Sequence, residues 1–197
     1  IGLTAWIPLS RATARIAAAD AQIRRYGRTD DARELYDAVT AIDPWDTTAW
    51  GRLVELHQRQ WDGSVPADGS LPEALTNSLV ALEEVIQRDP RNGQWRWQKA
   101  ELETRWAERT GRPQDWMVAA DDWADVVSRG PTNADSLARW SDALSKAKEI
   151  EPAAQTARLA LAQDEINQRW GHVERRLTEE TRARLRARAS PQSIPSP

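Results

Sequence analysis

Residues Ala119–Pro131 read AADDWADVVSRGP. The small Ala119 is followed four places on by Trp123, three further by Val126 and five further by Pro131. Steps of four and three set three side chains on one stripe of an α-helix. The small residue lets a neighbouring helix approach and the large one fills the space beside it. Proline then ends the helix, because it pushes its predecessor out of the α region and has no backbone N–H to donate. The same run recurs as Ala32–Tyr36–Val39–Pro44 and Ser78–Leu82–Val85–Pro90. A fourth copy, Ala153–Ala157–Ala160–Glu165, lacks the proline. A unit that recurs in this way is a stacking module, expected to hold another molecule rather than to transform one.

The rest of the chain supplies the partners of these helices. Ser10–Tyr26 reads as an alanine-rich helix with Ile16, Ala19 and Ile23 on one face, stopped by Gly27. Thr29 is placed to cap the next helix, and Asp46 or Thr47 a third carrying Trp50, Leu53, Val54 and His57. Asp62–Leu71 is a loop by its two Asp-Gly pairs and its proline. Pro72 suits the first turn of a fourth helix, and a fifth follows Asn92 with Trp95, Trp97, Leu102 and Trp106. Thr110–Asp115 reads as a second loop before a sixth helix over 116–128. Thr132 or Asn133 caps a seventh, Glu151–Pro152 separates it from an eighth over 153–167, and an arginine-rich ninth covers 173–189 with Val173, Leu177 and Leu185 on one stripe. No stretch alternates with period two long enough for a strand.

Composition narrows the function. The chain has 197 residues, formal charge −3, no cysteine, three lysines against twenty-four arginines, and eleven tryptophans with no phenylalanine. Indoles therefore supply most of the large packing pieces. Residues 168–197 hold seven arginines and three glutamates, so the rest is acidic. An acidic body argues against general nucleic-acid binding. The histidines, His57 and His172, stand far apart; without cysteine they leave no transition-metal set, and no phosphate-binding glycine loop or nucleophile elbow is present. Adjacent acids such as Asp121–Asp122 point about 100° apart on a helix and do not converge on one bond. No catalytic residue, cofactor or metal site is expected.

Helix pairs with small and large residues at these offsets resemble the tetratricopeptide repeat family, whose helix–turn–helix unit spans 34 residues. Pro44 and Pro90 lie 46 apart, Pro90 and Pro131 41 apart, and Pro131 and Glu165 34 apart. The excesses are expected in the two loops. Trp50 and Leu53 match the family's aromatic-then-leucine start, and Leu137 and Trp140 match it with types exchanged. The resemblance covers residues 13–167 and implies an all-α solenoid of about four helix pairs with a C-terminal capping helix. It implies a concave groove lined by first helices. Projected onto this chain, that register selects Glu55, Gln58, Trp97, Glu101, Arg105 and Asp142 as candidate binding residues, with Trp97 as an exposed anchor for an extended peptide or a sugar ring. A register shifted in the third unit instead buries Trp97 and exposes Trp95. Trp45 is expected to plug a turn between units, and Trp50, Trp123 and Trp140 to be core.

A second resemblance rests on Trp6, Pro44, Trp45, Trp50 and Leu53. It is similar to the C-terminal extension of bacterial O-antigen ligase or polymerase-like membrane proteins, which implies that any glycosyltransferase centre lies in an upstream membrane domain. Residues 1–9 are apolar and read as the end of a transmembrane helix with Trp6 at the lipid boundary, or as an apolar terminus packing on the first repeat. The resulting division is an N-terminal segment 1–9, a repeat domain 10–167, a basic helix 168–189 and a disordered tail 190–197. The expected role is a non-catalytic scaffold binding a protein or peptide, membrane-associated on the cytoplasmic or periplasmic side, without nucleic acid or small-molecule cofactor. The alternatives are a structural subunit of a membrane complex anchored by one helix, and a saccharide-binding module.

Overall fold

A computed structural model describes residues 6–27, 29–61 and 63–190. Among these residues there is no strand. The helices are α1 (Trp6–Tyr26), α2 (Thr29–Ile42), α3 (Thr47–Gln60), α4 (Glu73–Arg88), α5 (Gly93–Thr110), α6 (Pro113–Arg129), α7 (Ala134–Lys146), α8 (Ile150–Arg169) and α9 (Glu179–Ala189), with one 3-10 turn at Val173–Arg175. The chain divides into two compact units, residues 1–95 and 96–197, the division falling inside α5.

In the first unit α1 packs on α2, α2 on α3 and α3 on α4. The repeat stripes supply the seams. Ala32, Tyr36 and Val39 of α2, and Ser78, Leu82 and Val85 of α4, are all buried. Asp46 caps α3, its side chain accepting from the Thr48 N–H at 2.9 Å. His57 is buried and bonded through Nδ1 to Gln60 Oε1 at 3.0 Å, a structural imidazole. Trp45 does not plug a turn: it is 75% exposed, because Asp43 and Asp46 bond the turn's own N–H groups and close it without the indole. Trp50 is half-buried, its Nε1 donating to the Pro44 carbonyl at 3.1 Å.

In the second unit α6 packs on α7, α7 on α8 and α8 on α9. Trp123 is fully buried, and its Nε1 donates to Thr104 Oγ1 of α5 at 2.9 Å, so the indole brings its area into the core without an orphaned donor. Ala153, Ala157 and Ala160 of α8 are fully buried despite the missing proline. Val127, rather than Val126, is the buried valine of α6. Asn133 caps α7 by accepting from the N–H groups of Asp135 and Ser136.

Three expected boundaries move. Thr110–Asp115 is not a loop. Both helices extend into it and only Gly111–Arg112 links them, because Pro113 starts α6 and Asp115 accepts from both Thr110 and Arg112. The extra residues of the third repeat thus lengthen its helices. Glu151–Pro152 lie inside α8, and the break before them is made by Lys148 in the left-handed region at φ 72°. The basic segment is not one helix from Val173: the chain turns, Val173 is 71% exposed, and only Leu177 and Leu185 face inward. Residues 6–9 belong to α1; residues 1–5 and 191–197, where part of the apolar segment and most of the expected tail fall, lie outside the described residues. No helix among the described residues is long and apolar enough to cross a membrane.

Candidate functional site

The exposed side of α3 in the first unit carries Thr48, Arg52, Glu55 and Arg59, at steps of four, three and four. Two pockets lie along it. One, of about 190 Å³, is lined by Asp20, Ile23 and Arg24 of α1, Tyr36 of α2, and Arg52, Glu55, Leu56 and Arg59 of α3. The other, of about 270 Å³, is lined by Thr47, Thr48, Gly51, Arg52, Glu55 and Trp95. Arg52 and Glu55 line both, so the two adjoin on one helix face.

Each wall has a local cause. Tyr36 Oη donates to Asp20 Oδ1 at 2.6 Å and fixes that carboxylate on α1. Burial, and then this hydrogen bond, pushes the Tyr36 phenol above its ordinary value of 10.0, so it stays a neutral donor. Arg52 reaches Glu55 at 3.0 Å and Asp20 at 3.5 Å. The Glu55 hydrogen bond, with the Asp20 charge, holds its guanidinium above the ordinary arginine value. On the other side, a Cβ at Gly51 would stand 2.8 Å from the edge of the Trp95 ring. A mid-helix glycine costs about 1 kcal/mol relative to alanine; here it lets the indole lie against α3. Arg24 and Arg59 are exposed at the rim, and among the described residues Arg59 makes no ion pair. The site therefore offers fixed hydrogen-bonding groups, free guanidinium charge and an apolar ring. It offers no nucleophile held by a base, and no group of three His, Cys, Asp or Glu among the described residues is placed to hold a metal.

The six residues expected from sequence divide between the units. Glu55 lines both pockets, whereas Gln58 is half-buried one step round α3 and lines neither. In the second unit Trp97 is not an exposed anchor. It is half-buried, set edge-on to Trp123 with ring centres 6.1 Å apart, and the Arg139 guanidinium lies 5.5 Å from its ring centre. In the shifted register Trp95 is the exposed indole; it too is half-buried, but it lines the second pocket beside Gly51. Glu101 is bound by Arg139, which brings Trp97 and Glu101 together under one side chain. Arg105 is exposed. Asp142 is taken by Arg184 at 2.8 Å and Arg188 at 2.7 Å, both from α9.

A rule emerges within each unit. An acid on the first helix of a pair meets an arginine on the first helix of the next: Asp20 with Arg52, Glu101 with Arg139, and Asp142 with Arg184 and Arg188. In the second unit these charges are spent on one another. Of the six projected residues Glu55 alone lines these pockets, and projection along first helices could not reach Asp20, Arg24 or Tyr36, which sit on other helices. Arg59, seven residues after Arg52, was within its reach.

No family model matches the sequence, and no curated protein matches it. Solved structures do resemble its fold. A MamA RS-1 double mutant superposes with TM-score 0.55 at 12% identity, covering 91% of this chain and 92% of that one. A second MamA crystal structure gives 0.55 at 12% identity, over 80% and 81%. MamA from AMB-1 gives 0.52 at 15% identity, over 78% and 79%. At such identities the likeness is one of fold, and the fold agrees with the repeat read from the residues: the chain is an all-α helical-repeat protein of tetratricopeptide-like architecture.

Proposed function

We propose that this chain is a non-catalytic interaction module that holds an extended peptide segment of a protein partner along α3 of the first unit. The observation that carries this reading is the pair of adjoining pockets that share Arg52 and Glu55. An apolar side chain of the partner fits beside Trp95 and Gly51. Acidic or carbonyl groups further along meet Arg59 and Arg24, while Arg52 is held by Glu55 and Asp20 in the wall between the pockets. Guanidinium groups and aromatic rings are the side chains that most often dominate such contacts.

The test uses a phage-displayed library of random peptides selected on the full chain. Selected peptides are expected to lose about tenfold or more in affinity to the Arg59→Glu variant, about the effect of reversing one charge at a contact. They are expected to bind the Glu83→Lys variant, changed at an exposed residue of α4, as tightly as wild type. Peptides indifferent to Arg59→Glu, or turnover of any peptide by the chain, would reject the reading.

The finer setting we propose is the C-terminal part of a membrane-embedded O-antigen ligase or polymerase-like protein. It rests on the resemblance through Trp6, Pro44, Trp45, Trp50 and Leu53. It requires that the coding sequence upstream of Ile1 specify several membrane spans, and a start codon directly ahead of Ile1 would end it. Arg105 and the two residues joined under Arg139 remain, within the second unit, a proposed contact surface of their own.

A further inference from the structure

The corner between α8 and α9 holds large apolar side chains in water. Trp170 is 73% exposed and Val173 71%, and Ile166 and Leu159 on α8 are 47% and 51% exposed. Leu159, Ile166 and Trp170 follow at steps of seven and four, so they share one face of α8, the face turned away from buried Ala153, Ala157, Ala160, Asp164 and Asn167. This corner is not a frayed end. Gly171 adopts φ 73°, the His172 N–H donates to the Asn167 carbonyl at 2.9 Å and the Gly171 N–H to the Gln168 carbonyl at 3.2 Å, the paired bonds that close a helix through a left-handed glycine. From beneath, buried Asn167 donates to the carbonyls of Thr132 and Arg175, and buried Asp164 accepts from the Leu177 N–H. The backbone is tied inward while the indole and the valine are held out.

Charge singles out what fits there. The arginines of α9 are occupied: Arg182 by Asp164 and Glu179, Arg184 and Arg188 by Asp142, Arg186 by Glu179. Arg169 and Arg176, on either side of Trp170 and Val173, are exposed and make no ion pair among the described residues. Glu165 and Glu174 are the acids of this stretch, against Arg169, Arg175 and Arg176. Among the residues whose burial is described, Trp45 is the other strongly exposed indole, and it stands instead between Asp43 and Asp46.

We propose that the α8–α9 corner docks on an anionic lipid surface, with Trp170 and Val173 entering the headgroup boundary and Arg169 and Arg176 meeting lipid phosphate and carboxylate groups. Indole rings settle at the boundary between water and hydrocarbon, and each nearby arginine adds attraction to a negatively charged leaflet. The contact is peripheral and reversible. It shares no residue with the α3 face and does not depend on what binds there.

Vesicle flotation of the full chain tests this. The probes are vesicles of about three parts phosphatidylcholine to one part phosphatidylserine, and vesicles of phosphatidylcholine alone. Wild type is expected to float with the mixed vesicles, less so as salt rises, and not with the neutral ones. Trp170→Ser with Val173→Ser is expected to lower partitioning by about tenfold. Replacing Arg169 and Arg176 by glutamine is expected to lower it by about fivefold for each residue. Trp45→Ser is expected to float as wild type. All these side chains are exposed, and an unchanged far-ultraviolet spectrum confirms that each variant is folded. No flotation, equal flotation with neutral vesicles, or corner variants that float like wild type would overturn the proposal. So would a self-association that Trp170→Ser abolishes in the absence of lipid binding, which would assign the face to a second copy of the chain.

Discussion

Asp122, in the second unit, sits in an environment that suits its charge poorly. Lys99 meets one of its oxygens at 3.1 Å, while the other oxygen is buried and accepts no hydrogen bond. Burial, with smaller contributions from Asp125 and Asp121, raises the carboxyl above its ordinary value of 3.8, against the lowering effect of Lys99. The folded state thus holds this proton more tightly than the unfolded state does. The charged form costs stability above the folded pKa, and that cost disappears as the pH falls towards 3.8. Asp122→Asn is therefore expected to raise the urea midpoint at pH 7, with the gain shrinking to nothing in acid. Urea unfolding at several pH values checks this, and a lower midpoint at pH 7 would show that the Lys99 pair outweighs desolvation. Asp122 illustrates what a sequence hides. As one of two adjacent acids it reads as a solvated face, and only the packing of α5 against α6 reveals that one of its oxygens is enclosed.

At the scale of the helix, the alternation of small, large and aliphatic residues was legible because it is local, and the stripes are buried where the spacing puts them except at Val126, whose neighbour Val127 takes the buried place. What misled was punctuation. In the sequence Pro113 and Pro152 read as parts of breaks, yet both sit in first turns, where a missing N–H costs nothing. The true break before α8 is made by Lys148, a residue with no turn signature, in a conformation that suits glycine. Lys148→Gly is expected to stabilise the chain by about 1 kcal/mol, the strain a side chain suffers in the left-handed region. Thermal or urea unfolding measures it. The closing helix α9 gives a second expectation. Its exposed face is almost wholly charged, and its hold on α8 comes through fully buried Leu185, with Leu177 just before it. Leu185→Ala is expected to cost about 2–5 kcal/mol. A loss below about 1 kcal/mol would mean that the arginine pairs alone keep α9 in place.

At the scale of the molecule, the distribution of charge decides where a partner can be held. The excess of arginine over lysine reads in composition as a bias without a location. Folded, it becomes a set of bonds between successive first helices, Arg139 on Glu101 and Arg184 and Arg188 on Asp142, which consume candidates that sequence projection had offered to a ligand. The helix faces that carry these charges were legible because helical register fixes them. Which of the charges are free was not, because each of these pairings joins residues 38 or more positions apart. On α3, Arg52, held by Glu55 and Asp20, lines both pockets, and Arg59 lines the one walled by Tyr36, not the one walled by Trp95. The most direct measurement is the nuclear magnetic resonance spectrum of arginine Nε–H groups during titration with a library-selected peptide. The Arg52 and Arg59 signals are expected to shift in proportion to bound peptide, while that of Arg182, fixed on Asp164, stays in place. Shifts confined to arginines of residues 96–190, with Arg52 and Arg59 unmoved at saturation, would contradict the placement of the partner on α3.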